Sequence, residues 1–307
     1  MKNTLLEKSI LSTVCYFDVS DYPLTLMEIF KWLKISNNDH VSLADIKMAL
    51  DDSKYLNKRL EFKDGYYFLF GRGDLVAIRM QRYGLAEHKF KRAIGIIKIL
   101  SYFPYIRMIG ICNTLAYSNA RQESDIDLFF IVKKGRIWQT RLIVTGLLHV
   151  FHLRPSKDNT EDKICSTFFI SDDSLNIKNI AISENDYYFI YWLTQVFPVY
   201  EDGIYNLFLK SNDWIRDQLP NYLSVLPSYY RRVKTADGIK KYLKMFFCLV
   251  PEVLAKKIQL KIMPSDLRQM ANLDTRVVVN NKMLKFHKTD RRMYYNTKFE
   301  KNLKQLL

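Results

Sequence analysis

The sequence predicts an α+β fold in three parts, and three observations carry the prediction. Helically spaced apolar residues recur three times before residue 52 and are followed by an alternating segment over 60–70. The centre, 104–182, alternates short apolar runs with polar loops and one helical segment. From 183 onward, aromatic and apolar residues return to helical spacing and end in a strongly basic region. A length of 307 residues suffices for two or three domains and a sizeable core. The expected division is 1–74, a linking helix over 75–103, a mixed-sheet unit over 104–182, a helical region over 183–227 and a basic helical region over 228–307.

The first helix is expected over 4–17, from Leu5, Leu6, Ile10, Leu11, Val14 and Cys15. Thr25 is placed to cap a second helix through Leu33. Ser42 followed by Asp45 resembles a capping box for a third helix over 43–52. Asp64-Gly65 then sits at the turn of a hairpin, because both residues accept the positive φ such turns need. Three helices and a hairpin follow the order of a winged helix. Its third helix carries three acids and one lysine, which repel phosphate. Protein docking or a structural role therefore suits it better than duplex reading, and the hairpin residues Lys58, Arg59, Lys63 and later Arg72 suit phosphate better than that helix does.

A long helix is expected over 75–101, weakened or broken at Gly84 and Gly95 and ended by Pro104. Strands follow at 106–111, 125–132 and 163–170, with a helix over 137–153 between the last two. The segments 186–196 and 204–219 read as aromatic helices whose rings pack the core, a minority being able to stack on a base. Residues 220–237 read as a linker. Its cluster Tyr229-Tyr230-Arg231-Arg232 suits either an RNA surface or plain solvation. Basic amphipathic helices over 238–263, broken at Pro251, are also compatible with an anionic membrane surface.

The chemistry concentrates in one stretch. Asn113-Thr114-Leu115-Ala116 ends the first central strand, and about ten residues later Ser124-Asp125-Ile126-Asp127-Leu128 opens the second. Residues i and i+2 of a strand share a face, so Asp125 and Asp127 are placed to grip one hard cation together. This arrangement resembles the active-site signature of the DNA polymerase beta-like nucleotidyltransferase superfamily. The resemblance covers roughly residues 105–170. It implies that Asp125 and Asp127 hold Mg2+ or Mn2+, and that the 113–114 turn, with Ser124 nearby, holds a nucleoside triphosphate. Ser124 is expected to shape the loop more than to touch substrate. The activity implied is metal-dependent transfer of a nucleoside monophosphate to an RNA, protein or small-molecule acceptor.

This sequence departs from the family pattern at three places. Asn113 stands where a glycine is usual, with Thr114 supplying the hydroxyl, and Ser118 stands at a second frequent glycine. The third strand, where the family often supplies another carboxylate, reads Ile164-Cys165-Ser166-Thr167-Phe168-Phe169. Asp162 at its entrance is the expected third acid, ahead of Glu161, with an ordinary solvated strand-edge acid as the alternative. His287, three residues from Asp290, is a further candidate if both share a helix face. A catalytically degenerate domain that binds nucleic acid or a partner protein is the competing function.

Charge is segregated. From Ser228 to Leu307 there are 19 Lys and Arg against 6 Asp and Glu, a balance of +13, so the other 227 residues carry only +2 of the total +15. A basic third on a nearly neutral body suits a polyanion, RNA being favoured. No apolar run is long enough for a transmembrane helix, and the N-terminus shows no secretory apolar core, so a cytoplasmic protein is expected. Cys15, Cys112, Cys165 and Cys248 form no Cys-x-x-Cys. They read as buried small hydrophobes in a reducing compartment, not as zinc ligands or disulfides.

Overall fold

A computed structural model describes residues 2–35, 41–156, 158–235, 237–247 and 250–307. Cys248 lies outside the described residues. The chain opens with α1 (Lys2–Asp18), α2 (Leu26–Trp32), α3 (Leu43–Asp52), the single turn α4 (Lys54–Asn57), and the hairpin β1 (Leu60–Lys63) and β2 (Tyr66–Leu69). It continues through α5 (Leu75–Leu100), β3 (Ile106–Ile111), α6 (Asn113–Ala116), β4 (Ile126–Val132), α7 (Ile137–Val150) and β5 (Ile164–Ser171). Next come α8 (Tyr187–Gln195), β6 (Phe197–Glu201), α9 (Ile204–Ser211), α10 (Asp237–Phe247), α11 (Glu252–Lys261) and α12 (Ser265–Met270). The chain closes with β7 (Val277–Val279), β8 (Met283–Phe286) and α13 (Arg292–Leu306).

Local chemistry sets the N-terminal elements. Both expected capping boxes form: Thr25 with Glu28, and Ser42 with Asp45. The β1–β2 turn takes positive φ at Asp64 (52°) and Gly65 (86°). α5 runs unbroken through Gly84 and Gly95, because both are exposed and neither faces a neighbour that would interrupt the helix. Its arginines fasten the N-terminal helices. Arg79 grips Glu28 through two bonds of 2.8 Å, and Arg82 reaches Asp21, Asn119 and the Ser20 carbonyl. The hairpin arginines are likewise spent on protein: Arg59 on the Leu306 carbonyl, and Arg72 on Asp18 and Asp21.

The central sheet has six strands in the order β6-β3-β4-β5-β8-β7. Only β4 and β5 are parallel, as the helical crossover α7 requires. α7 has no side-chain cap of its own. The Glu252 carboxylate, opening α11, accepts from the Trp138 and Gln139 backbone N–H groups at its start, both at 2.8 Å. The apolar side chains fall on the two sheet faces by strand alternation. Phe129, Ile131, Phe168, Ile170 and Met283 join a core with α1, α2, α8 and α9, whereas Leu128, Phe130, Phe169 and Leu284 pack with α5 and α7.

Two expectations need correction here. The 186–196 segment is helical only to Gln195, after which 197–201 forms edge strand β6. The C-terminal third is not purely helical: β8 pairs antiparallel with β5, and β7 with β8. Short apolar runs carry the same signature in a buried helix and a buried strand, so the sequence alone does not separate them. The basic helix α11 rests on α7 through buried Ala255 and Gln259, the latter bonded to the Trp138 carbonyl. Of the 229–232 cluster, Arg231 pairs with Glu87 and lies over the Phe90 ring, and Arg232 pairs with Glu201. Tyr229 and Tyr230 remain exposed. No helix among the described residues is long and apolar enough to cross a membrane.

Gly110 on β3 permits a close approach of the neighbouring chain. A Cβ there would meet Val196 Cγ1 at 2.9 Å and Met108 Cε at 3.3 Å, where the β3–β6 register shifts. Gly110→Ala is therefore expected to lower stability by about 1–3 kcal/mol in a urea melt. An unchanged midpoint would show that β6 yields freely.

Candidate metal and nucleotide site

The site forms at one end of the central sheet. Asp127 lies on β4 and Asp125 one residue before it, so both project to one face, as the i, i+2 spacing demands. The parallel pairing sets Cys165 of β5 directly beside Asp127. One ligand atom from each of Asp125, Asp127 and Cys165 lies within 4.8 Å of the others. They stand in a cleft of about 580 Å³ that is also lined by Asn113, Thr114, Ser124 and Thr167. Between Asp127 and Phe129 the register of β4 against β5 shifts, a bulge beside the converging side chains.

The 113–118 turn holds positive φ at two residues that are not glycine. Asn113 has φ 58° and Ser118 φ 60°, so both adopt the left-handed conformation that glycine takes most readily. Asn113 does not point its side chain at open space. Its Nδ2 donates to Asp127 Oδ2 at 2.6 Å, and its Oδ1 accepts from the Tyr188 hydroxyl at 3.4 Å. Thr114 lines the cleft, and its hydroxyl has no hydrogen bond among the described residues. Ser124 also lines it, but its hydroxyl is donated to the Arg121 carbonyl at 2.8 Å, which fits a loop-shaping role.

Asp162 is not brought to this cluster. It takes φ 56°, and its carboxylate accepts from Lys89 at 2.7 Å, while Lys89 also donates to the Gln122 and Ser124 carbonyls. Lys89 is buried and must place its charge against something, and the Asp162 carboxylate with the Gln122 and Ser124 carbonyls satisfies it. Glu161 bonds Gln122. Cys165, expected as a buried small hydrophobe on a core strand near the site, is the third member of the cluster. Cys15 and Cys112 are buried as expected.

Further lining comes from the C-terminal third, a placement that nothing in the sequence signals. Lys285, His287, Lys288, Asp290, Arg291 and Arg292 all line the cleft. His287 and Asp290 do not share a helix: they follow β8 and precede α13. Arg292 is a buried hub, bonding Asp290 (2.7 Å), Asp186 (3.4 Å), the Ile180 carbonyl and the Thr275 hydroxyl. Burial alone would raise the Asp290 carboxyl, but the Arg292 bonds outweigh it and hold it at about 2. Burial, with Lys285 adding to it, lowers His287 to about 3, so the imidazole is neutral. Lys288 pairs with Asp266. Arg291 is exposed, its side chain has no hydrogen bond or ion pair among the described residues, and its charge acts to lower both Asp125 and Asp127.

The electrostatics of the floor are unbalanced. Neither Asp125 nor Asp127 forms an ion pair among the described residues. Burial, joined by the charge of Asp125, pushes Asp127 up to about 7, and burial raises Asp125 as well. Two desolvated carboxylates sharing a site fit a dication: it removes their repulsion and replaces the solvation they lost. No protein-family model matches the sequence, and no curated protein or solved structure matches it.

The raised carboxyl gives a stability test. Below the unfolded value of 3.8 Asp127 is protonated in both states and costs nothing, whereas above about 7 the folded state must carry the unfavourable charge. In chelator-treated buffer Asp127→Asn should therefore raise stability by on the order of 1–3 kcal/mol near pH ~8 and by little near pH ~4. Equal effects at both pH values would remove the desolvation argument.

Proposed function

We propose that the chain is a metal-dependent nucleotidyltransferase, transferring a nucleoside monophosphate from a triphosphate to an RNA, protein or small-molecule acceptor. The observation that carries this reading is the convergence of Asp125 and Asp127 in a cleft also lined by Arg291, whose side chain is unpaired among the described residues. On this reading 104–182 is the nucleotidyltransferase unit, and α1–α3 with β1–β2 form a winged helix. A bound Mg2+ or Mn2+ would draw charge from the transferring phosphoryl group and help align attack. Asp125 and Asp127 would hold it. Asn113 keeps the Asp127 carboxylate oriented through Oδ2 and leaves Oδ1 for the cation. The Thr114 hydroxyl would donate to phosphate, and Arg291 across the cleft would pair with the triphosphate tail.

A second reading is favoured by one observation. The third strand position holds Cys165 where a carboxylate would act as base, and the nearest expected acid is committed to Lys89. A domain so changed would bind nucleotide, nucleic acid or a partner protein without turnover.

The discriminating assay uses labelled triphosphates, magnesium or manganese, and RNA and protein from the host. Wild type should label an acceptor, and Asp125→Asn with Asp127→Asn should reduce labelling at least ~100-fold, since an amide does not supply the charge a hard dication needs. Survival of labelling in the double variant excludes the pair. Binding of triphosphate with no labelling by wild type favours the second reading.

The RNA partner rests on the +13 balance of the C-terminal third. Exposed Lys257 and Lys261 on α11, and Lys298, Lys301 and Lys304 on α13, are available to phosphate. Affinity for single-stranded RNA should fall steeply with salt, and replacing these five lysines by glutamate should abolish it. RNA affinity that ignores both salt and the five replacements would leave charge segregation without a polyanion to explain.

A further inference from the structure

The third side chain at the site is a thiol, and its placement is specific. Cys165 sits directly across the β4–β5 pair from Asp127, at the bulge, and lines the cleft. Cys15 and Cys112, by contrast, lie in the apolar core. The Asp127 carboxylate beside it is held from behind by Asn113, which is itself held by Tyr188, an outer layer of the kind that orients metal ligands. Neither aspartate forms an ion pair among the described residues; Arg291, which lines the same cleft, acts on both from beyond ion-pair distance.

We propose that this site takes a thiophilic dication of the zinc class in preference to magnesium, with Asp125, Asp127 and Cys165 as its three protein ligands. The proposal rests on the metal-site reading above and changes its metal. Magnesium demands oxygen ligands in near-ideal octahedral geometry, so a sulfur in the third position is of no use to it. Zinc accepts mixed sulfur and carboxylate sets, and its sites with three protein ligands keep a fourth position open. An anionic ligand on such a dication, a phosphate group for example, would meet Arg291, which lines the same cleft. On binding, an Sγ–metal bond forms, the thiol proton passes to solvent, and no electrons are exchanged.

The test uses the full chain, stripped with chelator and kept reduced, and titrated with Cd2+, Zn2+ and Mg2+ separately and in competition. Cd2+ should produce an ultraviolet sulfur-to-metal charge-transfer band at one equivalent, and Zn2+ should displace it. Zn2+ should bind at least ~100-fold more tightly than Mg2+. Cys165→Ser should abolish the band and shrink the Zn2+ advantage at least ~10-fold, whereas Cys165→Asp should improve Mg2+ binding. Circular dichroism of each variant establishes that it is folded. A band that persists in Cys165→Ser, or is lost instead in Cys112→Ser, overturns the proposal. Equal or better binding of Mg2+ by wild type also overturns it, while magnesium-dependent labelling would leave the transferase reading standing. Tight Cys165-dependent zinc binding without labelling from any triphosphate supports the proposal and removes that reading.

Discussion

The pairing of β5 with β8 is the constraint on which the site depends. It joins residues 168–170 to 283–285, more than a hundred positions apart, and extends the central sheet beyond its parallel pair. Without it the aspartates would sit near the open edge of a four-stranded sheet. With it, the chain leaving β8 folds back over the cleft and brings cationic side chains to face carboxylates. Arg292 secures that return by tying the post-β8 turn to Asp186, the residue that caps α8. An ion cluster so buried is costly to break, because removing one partner leaves the others charged and desolvated.

This topology also changes the meaning of the C-terminal charge. In sequence the basic third looks like an appendage to a neutral body. In three dimensions it is divided in use. Lys285, Arg276 and Arg292 are spent on internal acids and carbonyls, and Arg231 and Arg232 on Glu87 and Glu201. Lys288 and Arg291 line the cleft, and the exposed lysines of α11 and α13 are left to the surface. The region also supplies buried Val277, Leu284 and Phe299 to the two cores, so it belongs to the folded body.

The site turn takes left-handed backbone at residues other than glycine. Asn113 and Ser118 both hold the left-handed conformation that glycine would adopt without cost. Asn113 adds something glycine lacks: an amide that binds Asp127. The same side chain that tolerates the turn therefore orients a carboxylate, and Cys165 completes the cluster from the adjacent strand.

What the sequence determined by itself was local. Capping residues, the Asp-Gly turn and strand alternation gave the N-terminal helices, the hairpin, strands β3 to β5 and the shared face of Asp125 and Asp127, because each depends on neighbours within a few positions. The sequence did not assign the third member of the cluster, which is Cys165 because the parallel β4–β5 register sets it beside Asp127, while Asp162 pairs with Lys89 of a helix some seventy residues earlier. It also did not reveal that 277–286 is strand or that 285–292 forms a wall of the cleft. Those outcomes were decided by tertiary structure. A short apolar run becomes strand only when a sheet edge is there to pair with it, and a buried lysine takes whichever carboxylate the fold brings within reach.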